Sequence, residues 1–161
     1  MRKVLYILGQ LNDEDVEWMA RTGRRIDADD PFVLIEEGRP TGDLFFVIGG
    51  EAVVRVSGVG EVARLGRGEV VGEMSLVDSA PPSATVEALA GTAILAINKR
   101  ALEARLRSDP GFAGRFYKAL AIFLADRLRA TTNRGKIAGK MNEQLILDDE
   151  LDDVILDQVS L

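Results

Sequence analysis

The 161-residue chain contains neither cysteine nor histidine. The lack of cysteine excludes disulfides and thiolate nucleophiles, and the lack of histidine excludes imidazole as a general acid, a general base or a zinc ligand. The side chains that remain form no readable pair of nucleophile and base. We therefore expect a protein that is not an enzyme and that holds no metal ion and no cofactor of its own.

Long hydrophobic runs are missing as well, since no stretch approaches the roughly 20 apolar residues that a membrane-spanning helix needs. The N-terminus, MRKVLYILGQLNDED, places Arg2 and Lys3 before an apolar run. That run is short, contains Gln10 and lacks a small-residue cleavage site, which is not the pattern of a secretory signal peptide. We expect a cytoplasmic protein without membrane contact.

The chain has fewer basic than acidic residues, 20 Lys and Arg against 26 Asp and Glu, which gives a formal net charge of −6. General affinity for nucleic acid needs clustered cations that displace counterions. The one basic stretch, residues 127–140, fits a solvated helix face better than a nucleic-acid surface. We expect no direct nucleic-acid partner.

Hydrophobic periodicity divides the chain into a helical, a strand-rich and a second helical part. Near the N-terminus, Asp13 fits the cap of a helix that Gly23 ends. Short alternating segments such as EAVVRV and SATVEA follow, punctuated by most of the 16 glycines, a pattern typical of small barrels and jelly rolls. We predict the α+β class, mainly β: a jelly-roll-like β-barrel between an N-terminal helix and C-terminal helices, the last one long. The predicted parts are an N-terminal helical segment, a β-roll, C-terminal helices and an acidic tail, at residues 1–23, 24–97, 98–140 and 141–161.

The C-terminal part returns to helical spacing. Asn98 fits the cap of a short helix that ends at Asp109 and Pro110. An apolar stripe marks the longer helix that follows, and Gly135 or Gly139 is expected to end or kink that helix. The stripe consists of Phe112, Phe116, Ala119, Leu120, Phe123 and Leu124.

Such a stripe fits either core contacts or dimer contacts. We expect a homodimer through the long helix, residues 111–135. The acidic tail places Leu151, Val154 and Ile155 at the spacing of an amphipathic helix but has too few apolar residues to fold alone. We expect the tail to dock on a partner or to be poorly ordered.

One loop, GEVVGEMSLVDSAPPSATVEA at residues 68–88, combines features of an anion site with those of a buried strand. Gly72 allows the backbone to approach another group closely. The segment EMSLVDS is compatible with a helix, whose first N–H groups have no intrahelical partner and suit an anion. Glu73 in the first turn is placed to accept hydrogen bonds from hydroxyl groups such as those of a ribose. Alone, a glycine followed by a glutamate in a β-protein is more commonly a turn with a surface carboxylate.

Order and spacing over the whole chain are more specific. The run GDLFFVIGGEAVV, followed by VARLGRGEVVGEMSLVDSAPPSATVEA, resembles the cyclic nucleotide-binding domain family of catabolite-activator-like regulators, cyclic-nucleotide-dependent kinases and gated channels. The resemblance covers about residues 10–135 and includes the order helix, barrel, helix, long helix. The family's regulators append a DNA-reading helix pair, whereas this chain has the acidic tail. The resemblance therefore implies a stand-alone regulatory module.

The resemblance also implies a ligand-binding site. Gly72 and Glu73 match the start of the family's phosphate-binding cassette, where the acid accepts a hydrogen bond from the ribose 2′-hydroxyl. Met74 and Ser75 match positions whose backbone N–H groups face the cyclic phosphate. Val62 and Val71 match apolar positions that line the pocket. Ser83 and Thr85 match the strand after the cassette, where Ser83 occupies a position that helps to hold phosphate. Thr131 and Thr132 lie where catabolite-activator-like members place helix hydroxyls that touch the purine. The last two are equally consistent with hydroxyls that bond to carbonyls one helical turn earlier.

The sequence departs from the family at Pro82, where members that bind cyclic nucleotides usually carry arginine. Arginine gives a bidentate, charge-assisted contact to phosphate, whereas proline offers no donor at all. Arg64 and Arg67 are nearby in sequence, but the pattern does not place either in the pocket.

Two functions are compatible with these features. The first is a regulatory module that binds a small ligand, cAMP, cGMP or a related molecule, with weakened affinity, and relays binding through the C-terminal helices to a separate effector protein. The second is a ligand-independent, dimerising scaffold with a vestigial pocket.

Overall fold

A computed structural model describes the backbone of residues 9–159 and the side chains of residues 9–139. The first eight residues of the predicted N-terminal segment lie outside this description. The helices of the described part are α1 (Asp13–Thr22), α2 (Met74–Val77), α3 (Lys99–Ser108) and α4 (Pro110–Val159). Its strands are β1 (Arg24–Ala28), β2 (Phe32–Ile35), β3 (Asp43–Gly49), β4 (Ala52–Val56), β5 (Gly60–Leu65), β6 (Val70–Val71), β7 (Thr85–Ala88) and β8 (Thr92–Asn98).

The strands form two four-stranded antiparallel sheets, in the orders β1-β8-β3-β6 and β2-β7-β4-β5. Apolar side chains from both sheets build one core between them. This core includes Ala28, Phe45, Val47 and Ile94 of the first sheet and Leu34, Ala52, Val86 and Ala88 of the second. The predicted fold, a jelly-roll-like barrel between an N-terminal helix and C-terminal helices of which the last is long, is confirmed.

Strand β3 determines which chain segments meet at one end of the first sheet. It pairs antiparallel with β6 through Phe45 and Val71, and antiparallel with β8 through Asp43 and Asn98. The start of β3 therefore lies beside the ends of both β6 and β8. The loop that leaves β6 and the helix that leaves β8 consequently begin side by side.

Of the two predicted helix caps, the one of α3 is confirmed and the one of α1 is not. Asn98 caps α3 as predicted, because its side chain accepts hydrogen bonds from the backbone of Arg100 and Ala101. The predicted cap of α1, Asp13, is wrong: Asn12 takes this position. Asn12 forms a reciprocal capping box with Asp15, with bonds of 2.9 and 3.0 Å, and so satisfies two backbone donors.

Helix α4 is longer than predicted. It runs through Gly135 and Gly139 to Val159, so neither glycine ends the helix, and the alternative expectation of a kink at one of them stays a prediction. A glycine in a helix costs only about 1 kcal/mol relative to alanine, and strong helix formers surround both positions. The predicted boundary at residue 141 falls inside this helix, and the side chains of the acidic tail lie outside the described ones. The docking of the tail stays a prediction.

The apolar stripe of α4 serves mainly the core of its own chain. Five of its six residues are buried, and the Phe112 ring centroid lies 5.5 Å from the ring centroids of both Trp18 and Phe116. The five buried residues are Phe112, Phe116, Ala119, Leu120 and Phe123. The described chain up to Phe123 forms one compact unit, and α4 from Leu124 onward forms a second.

A buried ion pair joins α1 to α4. The Asp15 carboxylate is fully buried and accepts two hydrogen bonds from the Arg115 guanidinium, at 2.6 and 3.0 Å. The hydrogen bond from Arg115 lowers the pKa of Asp15 from its ordinary value of 3.8, and this effect outweighs burial, which acts in the opposite direction. The N-terminal helix is thereby held at the start of the long helix.

No helix among the described residues combines the length and the apolar character that crossing a membrane requires.

We expect Asp15→Asn to lower the free energy of unfolding by about 1.5–3 kcal/mol near neutral pH, because it removes a charged hydrogen-bond acceptor. A carboxyl whose pKa is lower in the folded state stabilises the fold fully above its unfolded pKa and loses this effect as the pH falls through the folded pKa. The difference in the free energy of unfolding between the natural protein and the variant should therefore become smaller as the pH falls below 3.8, the ordinary pKa of the carboxyl. Urea denaturation at neutral and acidic pH measures both effects.

Asp27→Asn is the matched control, since Asp27 pairs with Arg25 on an exposed strand and surface pairs contribute little. A loss at Asp15 no larger than the loss at Asp27 would contradict a stabilising role for the buried pair.

Candidate ligand-binding site

The cassette, which we define as residues 72–83, begins where β6 ends. Gly72 has a φ of +88°, a conformation that L side chains rarely adopt. A Cβ atom at this position would lie 3.1 Å from the carbonyl oxygen of Asp43, at the start of β3. Glycine therefore lets the chain leave the sheet in close contact with the neighbouring strand.

Glu73 is a buried carboxylate next to this turn, with 3% of its surface exposed. It stands at the N-cap position of α2, but its side chain makes no capping hydrogen bond. Met74, the first residue of α2, is exposed. A buried carboxylate requires donors or cations around it, which makes Glu73 the strongest acceptor of the cassette.

The cassette is tied to the start of α3 by Lys99. The Lys99 ammonium donates a hydrogen bond to the carbonyl oxygen of Thr41, at 3.1 Å, and another to the Ser75 hydroxyl. The Ser75 hydroxyl in turn donates to the carbonyl oxygen of Gly72, at 3.0 Å. The backbone N–H of Lys99 donates to the carbonyl oxygen of Gly42, at 2.8 Å. One residue thus holds the cassette, the loop before β3 and α3 together.

Lys99 is 7% exposed, so its charge is balanced inside the protein. Burial lowers the pKa of Lys99, and the carboxylates of Glu73, Asp43 and Glu103 oppose this shift. The buried Glu73 of the cassette and the buried Lys99 of α3 are therefore an anion and a cation that stabilise each other.

The exit of the cassette is tied to the loop between β2 and β3. The N–H of Gly38 donates to the carbonyl oxygen of Pro82, at 2.8 Å, and the N–H of Glu37 donates to the Thr85 hydroxyl, at 3.0 Å. The Glu37 carboxylate accepts from the N–H of Ser57, at 2.8 Å. Thr85, a predicted ligand contact, thus has a structural bond in the described state.

The structure brings together some of the predicted site residues and separates others. Gly72, Glu73 and Ser75 lie near the Lys99 ammonium, and Val71 is buried in the core directly before them. Val62 is 44% exposed on β5, and Ser83 is exposed before β7. The roles of all these residues toward a ligand stay predictions.

Thr131 and Thr132 lie in the second compact unit and are exposed. Their hydroxyls donate to the carbonyl oxygens of Arg127 and Leu128, each at 3.0 Å. This is the local bonding that the alternative interpretation of these threonines predicts, and their contact with a purine stays a prediction.

Arg64 does not take the place of the missing cassette arginine. Its guanidinium pairs with Glu61 at 2.7 Å and with Glu51 at 3.3 Å on an exposed face. Arg67 is exposed between β5 and β6.

Lys99 is the residue that sequence reasoning missed. One signal could have identified it: Lys99 follows the Asn98 cap and opens a helix whose first turn carries no acid. A cation at a helix N-terminus opposes the helix dipole. A lysine at this position therefore indicates a contact elsewhere that compensates for it.

Comparison with known proteins agrees with this geometry, since residues 32–109 match the model of the cyclic nucleotide-binding domain. Over these residues the chain belongs to the cyclic nucleotide-binding domain family. The catabolite activator protein of Thermus thermophilus is similar in structure, with a TM-score of 0.64 and 28% identity over 83% of this chain and 63% of that one. A cyclic nucleotide-binding domain from Methylobacillus flagellatus has a TM-score of 0.71 and 25% identity over 82% of this chain and 80% of that one.

A curated relative is the Pycsar effector protein XpPycTIR of Xanthomonas perforans, which is 30% identical over 120 residues. The match covers 74% of this chain but only 39% of the relative. The chain thus spans about two fifths of the length of that protein. What is shared is the cyclic nucleotide-binding domain, a regulatory family.

A left-handed backbone conformation costs a non-glycine residue about 1–2 kcal/mol. We expect Gly72→Ala to lower the free energy of unfolding by more than this amount. The added Cβ would press on the Asp43 carbonyl as well. Gly60→Ala is the matched control, because Gly60 has a φ of +93° but no atom within 4 Å of its Cβ position. Equal losses in chemical denaturation would show that the contact with β3 does not constrain the cassette.

Proposed function

We propose that this domain binds a cyclic nucleotide, cAMP, cGMP or a related molecule, at the cassette and relays binding through its C-terminal helices, without catalysis of its own. The buried Glu73 carboxylate, in the cassette of a cyclic nucleotide-binding domain, is the observation that carries the proposal. A nucleotide ribose carries hydroxyl groups that can donate a hydrogen bond to such a carboxylate.

The ligand's phosphate is held by the cassette backbone and by Ser83, and it lacks the usual arginine. Met74 and Ser75 are the first two residues of α2, where backbone N–H groups have no carbonyl one turn earlier within the helix to bond to. A charge-assisted hydrogen bond contributes about 1.5–3 kcal/mol, so its loss at Pro82 weakens binding by roughly ten- to a hundredfold. The proposed module is therefore a low-affinity sensor of common cyclic nucleotides, or a sensor of a related ligand that depends less on this contact.

The relay acts on a further protein or domain. The similarity to an effector protein supports a role in which the state of this domain controls another activity. The alternative is a dimerising scaffold whose pocket has lost its ligand, and a direct binding measurement separates the two.

We expect calorimetric titration of the natural protein with cAMP and cGMP to show weak binding, and Pro82→Arg to tighten it by about ten- to a hundredfold. The substitution preserves the Pro82 carbonyl that accepts from Gly38. Glu73→Gln, which keeps the side-chain volume and removes the charged acceptor, should weaken binding by about tenfold or more.

Pro81→Arg adds the same charge one residue earlier and is expected to leave the affinity within about threefold, because adjacent residues of an extended chain point in opposite directions. If neither the natural protein nor Pro82→Arg binds either nucleotide, the proposed site is wrong and the scaffold function is favoured.

We further propose that two copies of the domain pair through α4 beyond the buried stripe. Leu128, which continues the face of the stripe one turn after Leu124, leaves 67% of its surface exposed there. Leu128→Glu should convert a dimer into a monomer in sedimentation velocity, because the interface would bury an unpaired charge. Asn133→Glu adds the same charge about 140° around the helix and should leave the dimer intact. A natural protein that sediments as a monomer at all concentrations would refute this pairing.

A further inference from the structure

We propose that Lys99 is the positioning residue of the cassette and that it transmits the state of the cassette to α3. The ligand-dependent part of this inference rests on the proposed function. The positioning part does not, and it can be measured without a ligand.

The contacts of Lys99 span three separate chain segments. Its ammonium meets Ser75 in the cassette and Thr41 in the loop before β3, and its backbone opens α3. Ser75 is the residue whose backbone N–H matches a phosphate contact of the family. A shift of Ser75 toward or away from a bound anion therefore changes a hydrogen bond of the first residue of α3.

The position of Lys99 is costly in two ways. The ammonium is buried, and it stands at the helix N-terminus, where the dipole disfavours a cation. The nearby carboxylates of Glu73, Asp43 and Glu103 compensate for this cost. The same Glu73 is the proposed acceptor for the ligand's ribose, so the charge balance around Lys99 depends on the group that meets the ligand.

Helix α3 carries the displacement to a contact with α1 and α4. Arg105 lies six positions after Lys99, about 9 Å along the helix axis. Its guanidinium carbon is 5.3 Å from the ring centroids of both Trp18 on α1 and Phe112 on α4. Between these positions, the buried side chain of Leu102 seats α3 in the core. A rigid α3 thus connects Ser75 with the cluster of Trp18, Arg105 and Phe112.

Trp18 provides the measurement, because it is the only tryptophan of the chain. Its emission depends on the position of the Arg105 cation above the indole ring. In the natural protein, saturating cAMP or cGMP should change Trp18 fluorescence. Lys99→Met should abolish this response at saturation, in addition to weakening binding by about tenfold, the effect of losing one charged hydrogen bond.

Arg100→Met is the matched control, since it removes one charge from the next residue of α3, which is exposed. Arg100→Met should leave the affinity for the nucleotide and the change in Trp18 fluorescence unchanged. Lys99→Arg should restore part of the response because it keeps a cationic donor, and Ser75→Ala should reduce the response while Lys99 remains.

Hydrogen exchange without ligand tests the positioning directly and applies as long as circular dichroism shows a folded variant. The amides of residues 72–78 should exchange about tenfold faster in Lys99→Met than in Arg100→Met, because a lost contact raises the population of locally open states. Equal protection in the two variants overturns the positioning role. If Lys99→Met loosens the cassette but the natural protein binds no nucleotide, the proposed function fails and the positioning role stands. If Lys99→Met binds the nucleotide and still shows the full change in Trp18 fluorescence, the proposal that Lys99 transmits the state of the cassette to α3 is overturned.

Discussion

The antiparallel pairing of β3 with both β6 and β8 is the constraint on which the site depends. Because β3 runs opposite to both neighbours, its first residues lie beside the ends of both: Asp43 is opposite Asn98 of β8, and Phe45 is opposite Val71 of β6. The cassette and α3 therefore start next to each other although they are separated by more than twenty residues of sequence. Glycine is favoured at this point because Gly72 has a φ of +88° and because a Cβ there would lie only 3.1 Å from the carbonyl oxygen of Asp43.

Charge balance at this point follows from the same geometry. Glu73 leaves β6 and Lys99 leaves β8, so two ionisable side chains are buried at one end of the sheet. Neither would be tolerated alone, because an isolated buried charge is far more costly than a buried pair with hydrogen bonds. The cassette is consequently part of the structural network of the sandwich, held by Lys99 at its entry and by the bond from Gly38 to Pro82 at its exit.

The sequence was sufficient for the fold and for the location of the cassette. Alternating strands, the Asn98 cap and the motif GEVVGEM are local signals, and local signals predict elements and their order. The end of α4 was misjudged at Gly135 and Gly139 because a glycine lowers helix propensity by an amount that neighbouring residues can offset. The role of Lys99 could not be read directly, since its contacts with Thr41 and Ser75 depend on which strand ends meet. That register is set by pairings far apart in sequence, such as the one between Asp43 and Asn98.

The pre-formed cassette bears on the proposed binding of a ligand without the usual arginine. Binding loses affinity when loops must be ordered, and a cassette that is already fixed avoids that cost. Here Ser75 is held by Lys99, and the residue that replaces the arginine, Pro82, is held through its own carbonyl. Proline restricts φ and so limits the conformations open to the loop exit. Compared with arginine, Pro82 therefore gives up a direct attraction to phosphate but makes the loop more rigid. Under the proposed function, such a site would select its ligand by the fit of ribose and base more than by charge.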